Sequence, residues 1–245
     1  MPRIFDFGGR DVERAQTVAG LRALRSAGRQ AAQVTAETAD EAAAAEAAGV
    51  EMVVCRAANV GRVREGSQRV FVTAALGFAE AVTADDILRT AFTVITGGAD
   101  AVLTSRGSET VRALAHEQIP VVGHLGFVPR KSTWVGGVRA VGKSATEALQ
   151  LWDRFQRLED AGAFAAECEL IAAPVTAEIH LARPAIRGVG AIWKPSIRPC
   201  VTSVCRRSRA FARRWTQNRF PSAECAGAPL AEVEAFRARL AAGAG

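Results

Sequence analysis

The sequence predicts an α/β protein of the (βα) barrel class whose last one or two βα units are degenerate. Three observations carry this expectation. Apolar, strand-like runs alternate with helical stretches, similar glycine-containing joints connect them, and six such units precede residue 170. Strands that are apolar throughout and separated by helices demand a parallel sheet covered by those helices. Six units in so short a span favour a closed barrel over the alternative, an open doubly wound sheet.

Residues 11–27 place Val12, Ala15, Val18, Leu21 and Leu24 at helical spacing before Gly28, and residues 31–36 read as a short strand. Thr38 with Glu41 three residues on has capping-box spacing, so a helix is expected from there to Gly49. A buried strand over 50–55 and another over 69–74 follow. Thr83 and Asp86 repeat the capping spacing ahead of a helix ending at Gly97, and residues 101–105 form the next strand. Then come a helix over 109–118, a strand over 121–124, a long helix from Ser144 with Glu147 to Gly162, and a strand over 164–169. The joints at Gly49, at Gly97 and Gly98, and at Gly162 each place glycine at a helix end before an apolar run, as one repeated unit would. Beyond residue 180 the regularity fails, apart from a seventh strand near 185–192 and an amphipathic helix over 231–241. The expected organisation is a barrel body over 1–180, an atypical basic segment over 181–220 and a C-terminal helix within 221–245.

With 245 residues, 49% of them hydrophobic, the chain has ample material for a core. Arg3, Asp6 and Arg10 interrupt the N-terminus, and no 18-residue apolar run occurs, so a cytoplasmic protein without a membrane span is expected. Five scattered cysteines without a Cys-x-x-Cys pair argue for reduced thiols rather than a disulfide framework or zinc site. The net charge of +6 is local: residues 181–220 hold ten Arg and Lys and no acid, leaving 21 basic against 25 acidic residues elsewhere, a net charge of −4. Within that segment Arg206, Arg207, Arg209, Arg213 and Arg214 beside Trp215 have the makings of a nucleic-acid patch. The preferred reading is a shifted reading frame or a diverged end, because the Arg/Pro/Cys/Ser bias differs from both flanks.

Reacting groups in such barrels sit at the C-terminal ends of strands. Glu169 closes an apolar strand and has the placement of a general base for a proton next to a carbonyl; a rim glutamate held in a salt bridge is the alternative. His124 closes another strand between Gly123 and Gly126, as a substrate-orienting or a structural histidine. No His-x-x-His or His/Asp/Glu cluster makes it a metal ligand.

Three separated stretches, Pro120-Val-Val-Gly-His-Leu-Gly-Phe-Val-Pro129, Gly136-Gly-Val-Arg-Ala-Val-Gly-Lys143 and Leu158-Glu-Asp-Ala-Gly-Ala-Phe164 with Glu169, together resemble ketopantoate hydroxymethyltransferase (3-methyl-2-oxobutanoate hydroxymethyltransferase). The resemblance runs from about residue 20 to 180 and implies a (βα)8 TIM-type barrel of the phosphoenolpyruvate mutase and isocitrate lyase superfamily. It also implies one-carbon transfer from 5,10-methylenetetrahydrofolate to 2-oxoisovalerate, giving 2-dehydropantoate for pantothenate biosynthesis, with magnesium and in a homo-oligomer.

Carried over by position, the family's base falls on Glu169 and its active-site histidine on His124. Its first metal-binding aspartate falls on Arg56, its second on Ala75, and its Lys-x-Glu pair on Leu103 and Ser105. The expected magnesium ligands and the substrate lysine are therefore replaced, and alanine and arginine side chains offer no oxygen to a hard cation. Arg56 stands at a vacated ligand position and Arg106 beside another. A guanidinium is a permanently charged fork suited to a carboxylate or an enolate oxygen, so both are candidate substrate-binding residues in place of metal. The functional expectation is a ketopantoate hydroxymethyltransferase-like enzyme acting on a small 2-oxo acid. The alternative is a divergent homologue without the metal site, either a metal-independent 2-oxo acid lyase or transferase or a non-catalytic metabolite-binding barrel.

Overall fold

The computed structural model describes residues 2–26, 31–182, 187–191 and 230–242. The frame-shift and nucleic-acid readings fall almost wholly outside them. The chain forms two compact units: the first takes the described residues up to Thr104 with Ala113–Val121, the second Ser105–Arg112 and the described residues from Val122 on.

In the first unit an antiparallel hairpin, β1 (Arg3–Phe5) with β2 (Asp11–Glu13), precedes α1 (Val18–Ser26). Here the structure corrects the helix expected over 11–27. The Arg14 guanidinium is only 1% exposed and bonds Asp100 Oδ1 at 2.7 Å and the Gln68 carbonyl at 2.6 Å, so the chain follows its tether rather than the helical period. β3 (Gln33–Thr35), β4 (Met52–Arg56), β5 (Phe71–Ala75) and β6 (Ala101–Thr104) pair parallel in chain order. Met52, Val53, Val54, Cys55, Phe71, Val72 and Ala74 are all buried, as strands covered on both faces require. Between them lie α2 (Ala39–Ala47), α3 (Val60–Gly66) and α4 (Ala84–Thr96). Thr38 caps α2, whereas Glu41 reaches past it to the Glu37 amide at 2.6 Å; at Thr83 and Asp86 the reciprocal capping box is complete. α3 was not foreseen, being too short for its period to register, yet it buries Val60 and Val63.

At the N-terminal ends of these strands sits a buried charge network. Asp100 accepts from Arg14 Nε, from Arg64 at 2.6 Å and from the Val72 amide at 2.8 Å. Arg64 also donates to the Gly98 and Val70 carbonyls, and burial pulls its pKa down to about 10 against the pull of Asp100. Arg10 completes the cluster through Asp6.

The second unit pairs β7 (Val121–Gly126), β8 (Ala165–Glu169) and β9 (Arg187–Ala191) parallel, again in chain order, and β9 falls within the range expected for a seventh strand. α5 (Ser108–His116) precedes β7. α6 (Ala145–Asp160) buries Leu151, Trp152, Phe155 and Leu158, starts at the Ser144 cap and lies close on β7 at Gly123, where a Cβ would come 2.5 Å from Leu158 Cδ1. α7 (Ala173–Ala182) follows β8, and α8 (Leu230–Ala241) is the expected C-terminal helix. Phe236 of α8 is fully buried, and Glu232 accepts from the Ala145 amide at 2.6 Å, pinning α8 to the start of α6. No helix among the described residues is long and apolar enough to cross a membrane.

Candidate active site

His124 and Glu169 are brought together within the second unit. The register pairs His124 with Glu167 and Gly126 with Glu169. Paired residues of parallel strands share a face and alternate residues repeat it, so His124, Glu167 and Glu169 all project to one side. His124 Nε2 lies 3.1 Å from Glu169 Oε2, with the two side chains 13% and 21% exposed. A carboxylate there is shielded from bulk water yet open enough to meet a small molecule.

Local backbone geometry aims Glu169. Gly126 adopts φ +87°, and a Cβ on it would stand 2.2 Å from the Glu169 carbonyl oxygen; only glycine lets the strand ends close this tightly. Next to it the Phe127 amide bonds the Glu169 carbonyl at 2.7 Å. Leu170, directly after Glu169, has φ +49°, a left-handed conformation that costs a branched side chain about 1 kcal/mol. It is held there by Val141, whose amide donates to the Leu170 carbonyl at 2.9 Å and whose carbonyl accepts from the Ala172 amide at 3.1 Å. Glu147 secures that clamp, accepting from the Gly142 and Lys143 amides and from Arg139, whose hydrogen bond holds the carboxyl below its ordinary value against the effect of burial.

Sequence reasoning missed two residues. Glu167 is only 6% exposed and lies across from His124; its spacing of two from Glu169 in a strand was the available signal. Burial and then the Glu167 charge push the Cys168 thiol, on the opposite face, up to about 12. Lys131 follows β7 in a 3-10 turn over Pro129–Val135 and donates to the Ser105 carbonyl at 2.7 Å. Burial lowers its ammonium pKa, with the charges of Arg154 and Arg106 adding to the shift, so Arg106 belongs to a strongly cationic neighbourhood.

The other positions lie in the first unit. Arg56 pairs in register with Ala75, and Ala75 with Leu103, so these three positions form one row across β4, β5 and β6. The Arg56 side chain is 78% exposed and its nearest acid is Glu37, with Nε 3.8 Å from Oε1. On the same face, two residues before Ala75, Thr73 Oγ1 is buried without a hydrogen-bond partner. One hydroxyl does not make an octahedral oxygen site, and no group of three His, Cys, Asp or Glu among the described residues would hold a metal ion. The residues present do not fit magnesium.

The fold is similar to that of solved α/β barrel proteins. A solved 2,3-dimethylmalate lyase, a PEP mutase/isocitrate lyase superfamily member, superposes with TM-score 0.50 at 12% identity, covering 95% of this chain and 99% of that one. Oxaloacetate acetylhydrolase does so with TM-score 0.51 at 13% identity, over 94% and 98% of the two chains. These likenesses define the class, an α/β protein with the barrel fold of that superfamily. The family is narrower: the profile described as ketopantoate hydroxymethyltransferase matches residues 56–194, more than half the chain, and the protein belongs to that family.

Among curated relatives, 3-methyl-2-oxobutanoate hydroxymethyltransferase of Carboxydothermus hydrogenoformans is 31% identical over 189 residues, 66% of this chain and 68% of that protein. The enzyme of that name from Hyperthermus butylicus is 39% identical over 122 residues, 48% of this chain and 42% of its own length. With the second enzyme of Bradyrhizobium diazoefficiens the match covers 39% of the relative, so two of these matches span under half of the curated protein.

Proposed function

We propose that the protein acts on a small 2-oxo acid in a hydroxymethyltransferase-type reaction, with 2-oxoisovalerate as acceptor and 5,10-methylenetetrahydrofolate as one-carbon donor, giving 2-dehydropantoate. The observation that carries this reading is the His124–Glu169 contact on adjacent strands, inside the span matched by the family. Glu169 takes the proton from C3, and the electron pair left behind moves onto the keto oxygen as an enolate. His124 holds the acid in line with that carboxylate. Water adds to the donor's methylene carbon as its bonds to N10 and N5 break, and each nitrogen leaves with the bonding pair and takes one of the water's protons, freeing the carbon as formaldehyde. C3 of the enolate then bonds to that carbon, the carbonyl electron pair moves onto its oxygen, and that oxygen takes back the proton held by Glu169.

Positive charge must balance the enolate. Arg106 and Arg56 are the guanidinium groups proposed to bind the acid, and no step is assigned to a metal. A homo-oligomeric, cytoplasmic protein of pantothenate biosynthesis is part of the same proposal.

The test is deuterium exchange at C3 of 2-oxoisovalerate followed by NMR, with and without magnesium, on the protein and its Glu169→Gln variant. Exchange that disappears with Glu169 supports the reading. Absence of both exchange and binding would overturn it in favour of a barrel that has left this chemistry, a reading favoured by the row of Arg56, Ala75 and Leu103 at positions where the family carries metal-binding and substrate residues. Alanine at Arg56 and Arg106, singly and together, is expected to abolish acid binding; unchanged affinity in the double variant would remove both from the site.

A further inference from the structure

Glu167 is a charged group on the site face of β8 for which the reaction above has no use. It is more than nine-tenths buried, it shares a strand face with Glu169, and its register partner is His124. Among the described residues its carboxylate makes no hydrogen bond and no ion pair, whereas Glu169 has His124. A carboxylate with so little access to water and no partner among the described residues is a group that a ligand's positive charge can pair with. Two acids on one strand face give that face a negative field, which attracts a cation.

Of the two reactants in the proposed reaction, the acid is an anion and becomes more so on enolisation. The one-carbon donor behaves oppositely. When the bond from its methylene carbon to N10 breaks, N10 leaves with the bonding pair and takes a proton. The N5 lone pair then forms a double bond to the carbon, so N5 becomes a positively charged iminium.

Resting on the hydroxymethyltransferase reading, we propose that Glu167 is a binding residue for the one-carbon donor, its carboxylate the counter-ion of the donor's electron-poor nitrogen. Glu169 and Glu167 then divide the work along one strand: the outer carboxylate handles the acid's proton and the inner one holds the donor.

The experiment compares the full chain with its Glu167→Gln and Glu167→Asp variants. Titration calorimetry measures affinity for 5,10-methylenetetrahydrofolate, for 2-oxoisovalerate and for magnesium. The expected result is a donor affinity at least tenfold lower in Glu167→Gln, a fall at least tenfold larger than any change in acid affinity, and substantial recovery in Glu167→Asp, which keeps the charge. Equal loss for both ligands, or donor binding indifferent to the substitution or absent from the unaltered protein, would overturn the assignment. Loss of magnesium binding in place of donor binding would overturn it too, making Glu167 a metal ligand. C3 exchange in the unaltered protein reports separately on the reaction itself, so the two ideas fail by different readouts.

Discussion

His124 and Glu169 stand 45 residues apart in the chain, yet Nε2 of one lies 3.1 Å from Oε2 of the other. They meet because β7 and β8 are paired neighbours, with Glu169 two register pairs further along than the level of His124. If Glu169 is the base and His124 the orienting group, their variants should separate. Glu169→Gln is expected to slow C3 exchange by about a hundredfold or more, the usual contribution of a positioned base. His124→Gln should raise the acid concentration needed for half-maximal exchange while lowering the limiting rate less, which exchange kinetics over a range of acid concentrations will read.

Gly126 should tolerate no side chain. Its φ of +87° and the 2.2 Å approach of a virtual Cβ to the Glu169 carbonyl mean that Gly126→Ala must bend the strand ends apart. A loss of about 2 kcal/mol in unfolding free energy is expected, with exchange activity falling further than stability, because the displaced backbone is that of the base. Urea unfolding and exchange on the same preparation check both.

Asp100 should be the most sensitive acid in the first unit. It neutralises Arg14 and Arg64 together, and both guanidinium groups are almost fully buried. Asp100→Asn leaves two buried cations short of their counter-charge, and a cost of about 3 to 5 kcal/mol is expected from urea midpoints. Arg10→Ala, at the exposed edge of the same network, should cost under about 1 kcal/mol, since its side chain is 54% exposed.

Glu147 gives a pH signature. Its hydrogen bond from Arg139 outweighs burial, so its pKa in the folded protein lies below the ordinary value of 4.5. A depressed carboxyl contributes stability that is fully present above its unfolded pKa and disappears as pH falls through the folded one. The protein should therefore exceed Glu147→Gln in stability by about 1 kcal/mol at pH 7, the worth of a helix cap with an added ion pair. The difference should shrink below about pH 4.5 and vanish once the carboxyl is protonated in both states. Urea midpoints of both proteins from pH 7 to pH 3 measure it.

The strand and helix alternation, the capping signals at Thr38, Thr83 and Ser144, the seventh strand near β9, and the placing of His124 and Glu169 at strand ends were all legible in the sequence. Each is local, written in side-chain periodicity, cap chemistry or a short motif. The sequence also drew Arg56, Ala75 and Leu103 out as positions of interest, but not that these form a single row, because strand register depends on pairing between distant segments. The β1–β2 hairpin in place of a longer helix, the left-handed turn at Leu170 clamped by Val141, and the burial of Glu167 without a partner among the described residues came from tertiary packing. A residue's periodicity shows which side of its own element it occupies; only packing shows what stands opposite, and for Glu167 that is what separates a surface acid from a candidate binding group.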